Sequence, residues 1–319
     1  MKLITFSPAY ALTLALFTFA STAAAVPQAP AGEGVPVRIT VTAVSREKGQ
    51  QPPNLSKADF LIYQNHKRRP VLDVVREAGE NNKLDLYILI DEAIQTDVTL
   101  DYREIGNFVH ELPSTARVGV LYGRNGTVTT PQDLTENRDA AVKALRIPLG
   151  RIGAGGGIFL SVGDVAKRIP QSPDRRCVIL FLSSGIDLFR GVTDSYAGVN
   201  PDLRVAIERL NRSDITVYPI YITPAAHFGR NLFLVTNGQS CLARLAAETG
   251  GEAFFEGFIT PITMKPFLEE IAEHLNNQYL VTFAAAPGHK SGYEPIHVST
   301  ELSGVEITGP TGVYVPVAK

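Results

Sequence analysis

One acid stands where α/β proteins usually bind their ligands. The apolar run Leu86 to Ile90 is typical of a buried strand, and Asp91 follows it directly. In open α/β sheets, ligands bind beyond the carboxyl ends of the strands. A carboxylate at that place can ligate a cation, or it can accept hydrogen bonds from nearby hydroxyl and backbone N–H groups. Asp91 is therefore the first candidate functional residue.

Other patterns that could carry chemistry are incomplete. The glycine-rich segment from Arg151 to Gly157 suggests phosphate binding, because helix N-termini bind anions. It lacks the Gly-Lys-Ser/Thr of a Walker sequence, so we interpret it as a lead into a helix. Ser183 and Ser184 belong to no Gly-x-Ser-x-Gly sequence. The six histidines fall at no metal-ligand spacing. The sequence therefore predicts a protein that is not an enzyme.

Two long segments after strands carry arginine beside aromatic residues. They run from Asp187 to Pro201 and from Thr223 to Ser240, whereas such connections usually have roughly two to six residues. Aromatic and arginine side chains are enriched at binding hot spots, although they can equally fold a loop onto its own domain. If the loops bind a partner, Arg190, Phe228 and Arg230 are the expected anchors. The supporting contacts would come from Phe189 and Tyr196.

The middle of the chain alternates strands with amphipathic helices, which must position these residues. Apolar residues at helical spacing predict helices over Ile105 to Leu112, Ile158 to Ile169, Leu203 to Leu210, Cys241 to Ala246 and Phe267 to Leu275. Apolar runs predict strands at Leu86 to Ile90, Arg117 to Tyr122, Gly126 to Thr130, Cys177 to Leu182, Ile215 to Ile222 and Glu252 to Phe255. Repeated units of this kind give a mostly parallel sheet with helices on both faces.

Local signals and strand patterns complete this outline. Asn125-Gly126 predicts a hairpin turn, and Asn200-Pro201 predicts a helix start. Strands are expected at both ends of the chain, at Val35 to Val41, Phe60 to Tyr63, Val71 to Val75, Tyr279 to Phe283, Ile296 to Thr300, Gly304 to Thr308 and Gly312 to Val315. The segment Asn65 to Arg68 is expected to turn between the second and third of these. We expect the two β-rich ends to pack together.

The N-terminus predicts export. Lys2, a short apolar run and a small-residue site ending at Ala25 are typical of a signal peptide, and the run is too short for a membrane span. The expected division is residues 1–25 as signal peptide, 26–83 as N-terminal β segment, 84–277 as α/β domain and 278–319 as C-terminal β segment. The mature protein would be periplasmic or secreted. A formal net charge of −2 argues against binding nucleic acid.

The two cysteines are too few for a disulfide framework. Cys177 begins a predicted strand, whereas Cys241 opens the helix after the next strand. Since these positions would lie at opposite edges of a parallel sheet, we expect both thiols to be unpaired.

Several sequence pieces together resemble the exported bacterial proteins called VWFA-related Acidobacterial domain proteins. The pieces are Asn54-Leu-Ser-Lys-Ala-Asp-Phe60, the strand ending at Asp91, Phe181-Leu-Ser-Ser-Gly-Ile-Asp187, Asn277-Gln-Tyr-Leu280 and Thr311-Gly-Val-Tyr314. They span nearly the whole mature chain. The resemblance implies a von Willebrand factor A (vWA) fold with a metal-ion-dependent adhesion site.

The resemblance matches that metal site at Asp91 alone. In vWA domains this aspartate opens an Asp-x-Ser-x-Ser sequence whose oxygens hold a divalent metal, but Ala93 and Gln95 occupy the serine positions. Ser184 stands where the family places a second aspartate. Because Mg²⁺ requires near-octahedral oxygen ligation, we expect no Mg²⁺ site. A remodelled Ca²⁺ site would use Gln95, Ser184 and Asp187; otherwise, Asp91 accepts hydrogen bonds from local groups.

The sequence thus predicts an exported, non-catalytic, vWA-like protein without a cofactor. Its expected partner is a protein or another cell-surface macromolecule, bound through the loops above the sheet, and neither nucleic-acid binding nor membrane insertion is expected. Two alternatives remain open. One is an adhesion module assisted by Ca²⁺, and the other is a structural subunit that assembles through its β-rich flank.

Overall fold

The computed structural model describes residues 34–47, 50–78, 82–151, 156–170, 172, 174–225, 230–288 and 290–317. The predicted signal peptide, residues 1–25, lies outside the described residues, and so does Phe228. Within the described ranges, no helix has both the length and the apolar character needed to cross a membrane.

Strands dominate the two ends of the chain, and helices alternate with strands in its middle. The strands are β1 (Val35–Ser45), β2 (Leu61–Gln64), β3 (Lys67–Arg69), β4 (Val71–Arg76), β5 (Leu84–Asp91), β6 (Arg117–Arg124), β7 (Thr127–Thr135), β8 (Arg176–Ser183), β9 (Ile215–Tyr221), β10 (Gln278–Ala285), β11 (Gly292–Ser299), β12 (Val305–Thr308) and β13 (Gly312–Val315). The helices are α1 (Tyr102–Glu111), α2 (Arg138–Lys143), α3 (Ile158–Arg168), α4 (Pro201–Arg212), α5 (Leu232–Thr249) and α6 (Lys265–Asn276).

A five-stranded sheet of order β7-β6-β5-β8-β9 forms the centre of the molecule. The last four strands in this order are parallel, and β7 returns antiparallel to β6. Helices α1, α2 and α6 pack on one face, and α3, α4 and α5 pack on the other, so β5 is buried along its whole length. The predicted class of fold, a mostly parallel sheet with helices on both faces, is confirmed. Below, the carboxyl edge is the edge where the four parallel strands end, and the amino edge is the one where they begin.

The two ends of the chain pair with each other in two antiparallel four-stranded sheets. Their strand orders are β12-β1-β10-β4 and β13-β11-β2-β3. In the first sheet β1 pairs with β10, and in the second β2 pairs with β11. An apolar core that includes Ile39, Phe60 and Tyr279 joins the two sheets, which we call the β module.

The β module lies against the amino edge of the central sheet through buried polar contacts. Arg176, at the start of β8, donates a hydrogen bond of 2.7 Å to the side chain of Gln278 in β10 and another to the side chain of Asn82. Asp214, just before β9, accepts hydrogen bonds from the backbone N–H (2.7 Å) and the hydroxyl (3.1 Å) of Thr40 in β1. The amino edge is therefore an interface within the chain.

Predictions from short-range signals are confirmed. Asn125 and Gly126 have φ values of 52° and 78°, the left-handed conformations that a two-residue hairpin turn requires. The Asn200 side chain caps α4 by accepting hydrogen bonds from the backbone N–H groups of Asp202 (3.0 Å) and Leu203 (2.9 Å). Both cysteines are free, as predicted.

The prediction of a loop from Thr223 to Ser240 is wrong. Helix α5 already begins at Leu232, so Cys241 lies in its middle and does not open it. The first half of α5 begins with four apolar residues, but residues 236–240 are Thr-Asn-Gly-Gln-Ser, and Gly238 is unfavourable in a helix when judged from sequence alone. In the structure a Cβ at Gly238 would clash with the carbonyl oxygen of Ser184, so the glycine permits close contact with the loop after β8. Tertiary packing thus extends the helix.

Three further details differ from the prediction. Asn65 and His66, both at positive φ, turn the chain back into β3, which pairs with β2, so the turn does not lead directly to β4. The predicted strand at Glu252 to Phe255 contributes only a parallel bridge between Ile220 and Phe254. The short helix α2 was not predicted. Its six residues make little more than one and a half turns, which is too short for a helical repeat of apolar residues to be recognised.

Candidate functional site

Asp91 is buried at the carboxyl end of the central strand β5. Its Oδ1 accepts a hydrogen bond from the backbone N–H of Ala93 (2.9 Å), and its Oδ2 accepts one from the Ser183 hydroxyl at the end of β8 (2.8 Å). Burial raises the pKa of Asp91 to about 6, although these two hydrogen bonds act in the opposite direction. Asp91 therefore accepts hydrogen bonds from local groups and joins the ends of two neighbouring strands.

Glu92 is a second buried acid at this edge, and sequence reasoning missed it. Its carboxylate forms an ion pair with Arg146 and accepts a hydrogen bond from the backbone N–H of Leu149 (2.7 Å). The Arg146 guanidinium lies over the ring of Tyr122, 3.8 Å from the ring centroid. Glu92 thus holds the segment before α3 against the carboxyl edge. The adjacent acids at 91 and 92 were the only sequence signal.

Asp187 caps α3 from a different part of the chain. Its Oδ1 accepts hydrogen bonds from the backbone N–H groups of Gly157 (3.2 Å) and Phe189 (3.0 Å), and its Oδ2 accepts one from that of Phe159 (3.2 Å). Burial raises the pKa of Asp187, whereas the three hydrogen bonds lower it. A carboxylate at a helix N-terminus satisfies N–H groups that have no partner within the helix. Both of its oxygens are therefore occupied by the backbone.

A small cleft, open to solvent, lies beside Asp91 and Glu92, and its lining also includes Arg124, Asn125, Ile158 and Ile186. Asp91, Glu92 and Asn125 are the lining residues whose side chains contain oxygen, and both acids are already hydrogen-bonded or ion-paired within the fold. Mg²⁺ and Ca²⁺ require a larger set of oxygen ligands.

The other residues of the expected Ca²⁺ site do not line this cleft. Gln95 lies in a neighbouring depression with Thr96 and Asp97. The Ser184 hydroxyl accepts a hydrogen bond of 3.4 Å from the backbone N–H of Ile186. Of the four residues considered for a Ca²⁺ site, Asp91 is therefore the one that lines the cleft. That the mature protein binds no Mg²⁺ remains a prediction.

The long loop predicted between β8 and α4 is present and is fixed by polar contacts. Arg190 forms a double ion pair with Asp202 of α4, with N–O distances of 2.8 and 2.9 Å. Asn237 of α5 donates hydrogen bonds to the carbonyl oxygen (2.7 Å) and the hydroxyl (2.9 Å) of Ser195. Arg190, predicted as a binding anchor, thus also tethers the loop to its own domain.

The apolar side chains of the same loop remain exposed to solvent. Together with two residues at the start of α5 they form what we call the carboxyl-edge patch, whose members are between 44% and 62% exposed: Phe189, Val192, Tyr196, Val199, Leu232 and Phe233. The rings of Tyr196 and Phe233 meet edge to face with centroids 5.3 Å apart, which joins the loop to the helix. Arg230 is exposed two residues before Leu232.

Other exposed apolar side chains lie in segments that precede helices at the carboxyl edge. They precede or lead into the N-termini of α1, α3 and α6: Leu100, Ile147, Leu149, Phe258, Ile259 and Ile262. In the rest of the described chain, the large apolar side chains with comparable exposure are Leu72, Leu302 and Val317. Exposed apolar surface is thus concentrated at one edge of the central sheet.

Solved structures with similar folds include proteins described as vWA domains. The vWF domain of the type V pili tip protein Mfa5 from Porphyromonas gingivalis is 11% identical, with a TM-score of 0.42 over 60% of this chain and 95% of that chain. The ArnB paralog VWA2 from Sulfolobus acidocaldarius is 9% identical, with a TM-score of 0.40 over 88% and 76%. An aerotolerance-related membrane protein from Bacteroides fragilis NCTC 9343 is 15% identical, with a TM-score of 0.44 over 60% and 98%.

These TM-scores are too low for any role of those proteins to be carried over to this chain. No family model matches the chain, and no curated protein matches it. The function must therefore be inferred from the carboxyl edge itself.

Proposed function

We propose that this is an exported, non-catalytic binding protein that holds a protein partner against the carboxyl edge of its central sheet. The observation that carries the proposal is the carboxyl-edge patch, whose apolar and aromatic side chains are exposed on a loop with hydrogen-bonded anchors. Soluble monomeric proteins rarely leave contiguous apolar patches of large area uncovered. We assign the patch to an interface with another molecule.

The way the loop is held supports one of the two interpretations that its sequence allowed. A loop that used its aromatic residues to fold onto its own domain would bury them. This loop is held by Ser195, Asn200 and Arg190, which make polar contacts, while Phe189 and Tyr196 are about half exposed. A surface fixed before binding loses less conformational entropy in the complex. This arrangement supports a binding role.

The chemistry of the edge favours a protein partner. Tyrosine, phenylalanine and arginine are enriched at protein interfaces, and the carboxyl-edge patch combines aromatic rings with the nearby Arg190 and Arg230. A partner with an apolar surface and acidic residues at its rim would complement it. The formal net charge of −2 gives no support for a nucleic-acid partner.

The cleft beside Asp91 supports the non-catalytic part of the proposal. Its acids are engaged in the fold, since Asp91 is bonded to Ala93 and Ser183 and Glu92 is paired with Arg146. Among the described residues that line the cleft there is no histidine, cysteine or lysine to act as a base or nucleophile.

Export is proposed from residues 1–25 and from the resemblance to VWFA-related Acidobacterial domain proteins, which are exported. N-terminal sequencing of the protein recovered from periplasmic and culture fractions tests this part. We expect a chain that begins at Val26 in one of these fractions. An intact Met1 in the cytoplasmic fraction alone would contradict it.

Site-specific photocrosslinking tests the binding surface. A photoreactive residue at Val199 in the patch is compared with one at Leu302 in the β module, because both side chains are exposed. We expect the Val199 position to yield a discrete protein adduct in the native fraction, which mass spectrometry identifies. If only the Leu302 position yields adducts, the interface lies on the β module, as the alternative of a structural subunit requires.

The affinity for that partner is then measured with matched variants. The patch variant is Phe189→Ser/Tyr196→Ser/Phe233→Ser, and the control is Leu72→Ser/Leu302→Ser, which removes exposed apolar side chains from the β module. Hot-spot residues contribute about 2 kcal/mol or more each, so the patch variant should weaken binding by at least about tenfold. Equal affinities of the two variants would contradict the proposal.

A further inference from the structure

A group of three metal-binding side chains lies far from the carboxyl edge, beside the amino edge. Glu270 and His274 are four residues apart in α6 and therefore occupy one face of the helix. Glu252 follows the glycines that end α5 and approaches the same place. One ligand atom from each of these residues lies within 4.8 Å of the others.

The imidazole of His274 is about nine-tenths buried and makes no hydrogen bond with the residues that the structure describes. Its Nε2 lies 3.7 Å from Oε2 of Glu252, which is too far for a hydrogen bond. Its ring packs against Tyr218, with centroids 5.8 Å apart. An imidazole nitrogen that makes no hydrogen bond with the described residues is available as a metal ligand.

The carboxylates around the ring lack a cationic partner among the described residues. The carboxylates of Glu270 and of Glu306 in β12 lie near that of Glu252. None of the ion pairs among the described residues joins a lysine or arginine to these three glutamates. The contact with His274 is the only ion-pair contact that Glu252 makes with those residues. A bound divalent cation would offset the repulsion between these carboxylates.

We propose that Glu252, Glu270 and His274 form a binding site for a divalent transition metal, with Zn²⁺ as the ion that fits best. Zn²⁺ takes imidazole and carboxylate ligands at about 2.1 Å, so two ligands in tetrahedral geometry are about 3.4 Å apart. The observed 3.7 Å between His274 and Glu252 is close to that separation. An imidazole among the ligands disfavours Mg²⁺ and Ca²⁺, which prefer oxygen.

The position of the site indicates what the metal does. It joins α6 to the segment after α5, and Glu306 of the β module lies near enough to affect Glu252. Binding therefore ties two elements of the α/β domain together beside the junction with the β module. A ligand that binds only the folded state stabilises it, so zinc should raise the melting temperature.

The sequence did not reveal this site, because the third ligand is separated from the helical pair. Glu270 and His274 have the i, i+4 spacing, but Glu252 is placed only by the fold. An acid and a histidine four residues apart are common on solvated helix faces without any metal.

Titration of the tag-free mature protein with Zn²⁺ and with Co²⁺ tests the proposal. The wild type should bind one ion per chain, give visible d–d absorption with Co²⁺, and melt at a higher temperature with Zn²⁺. Glu252→Gln/Glu270→Gln should weaken zinc binding at least tenfold while the protein remains folded, because both side chains are exposed. His274→Gln should do the same.

A matched control removes one glutamate and one histidine elsewhere. Glu269→Gln/His110→Gln alters a neighbouring position of α6 and the exposed histidine near Asp139, and it should bind zinc like the wild type. The proposal is overturned if the wild type binds no ion. It is equally overturned if Glu252→Gln/Glu270→Gln binds zinc as tightly as the control variant.

Discussion

The two edges of the central sheet differ in the side chains that they leave exposed. At the amino edge, the buried Arg176 and Gln278 and the partly buried Asp214 are hydrogen-bonded to the β module or to their neighbours. At the carboxyl edge, buried acids hold the loops, and apolar side chains such as Phe189 and Phe233 are exposed. Both edges contain loops and helix ends, so the difference does not follow from the topology alone.

The two edges differ in whether the chain itself covers them. Buried polar groups are more stable when they are paired, and at the amino edge the β module supplies partners for Arg176 and Asp214, although Nε of Arg176 and the side-chain amide of Asn277 find none among the described residues. Exposed apolar groups lower their free energy when another surface covers them, and the described chain supplies none at the carboxyl edge. We infer that the first edge is an internal junction and that the second is half of an interface between molecules.

The largest expected effect is at the amino edge. Arg176→Ala should lower the free energy of unfolding by about 1–3 kcal/mol for each of the two side chains, Gln278 and Asn82, that lose their buried hydrogen-bond donor. Chemical denaturation at pH 7 measures this loss. The control Arg204→Ala breaks an exposed i, i+4 pair with Glu208 and should change stability by less than about 1 kcal/mol. Similar losses for both would remove the distinction between the edges.

The next effect concerns Asp91, a buried acid at the carboxyl edge. The folded protein keeps the Asp91 proton up to about pH 6, whereas the unfolded chain loses it near pH 3.8. Ionisation in the folded state therefore costs stability as the pH rises from about 4 to 6. A tenfold change in an acid constant corresponds to about 1.4 kcal/mol, so the cost at pH 7 is about 3 kcal/mol.

Asp91→Asn should remove this pH-dependent cost and retain acceptor and donor atoms for Ala93 and Ser183. The difference in free energy of unfolding, variant minus wild type, should rise by up to about 3 kcal/mol between pH 4 and pH 7. Urea denaturation at several pH values measures it. A difference that stays constant with pH, or falls, would mean that the ionised carboxylate stabilises the folded protein.

A smaller effect tests whether the loop is held in place for binding. Asn237→Ala removes two buried hydrogen bonds to Ser195 without changing any member of the carboxyl-edge patch. It should cost about 1–3 kcal/mol in stability and weaken partner binding. Calorimetry with the purified partner measures the affinity. Unchanged affinity would show that loop fixation serves the fold alone.

The smallest expected effect on stability is that of the patch itself. Phe189→Ser/Tyr196→Ser/Phe233→Ser should change the free energy of unfolding by about 1 kcal/mol or less, because these side chains are about half exposed in the folded protein. Thermal and urea denaturation without partner measure this. A loss of several kcal/mol would mean that the residues belong to the core of the domain.

The sequence predicted those parts of the fold that local chemistry specifies. Asn125-Gly126 and Asn200-Pro201 place the chain in conformations that their own side chains and backbones favour. The start of α5 was missed because contacts around Gly238 with the loop after β8 override its low helix propensity. Packing between distant segments has no short-range signature.

The candidate site was predictable only in part, for the same reason. Asp91 was identified because it ends an apolar strand. The roles of Glu92 and Asp187 depend on Arg146 and on the N-terminus of α3, which the fold brings to them from distant positions in the sequence. Leu232 and Phe233 were not predicted to belong to the carboxyl-edge patch, since the exposure of their side chains depends on how the neighbouring loop is tethered.

Amide hydrogen exchange of the protein, free and bound to the crosslinked partner once that is purified, tests the central claim most directly. We predict slower exchange over residues 188–199 and 230–240 in the complex, with little change in the β module. Slower exchange confined to β11 and β13, around Tyr293 and Tyr314, would contradict the account and place the interface at the β-rich flank.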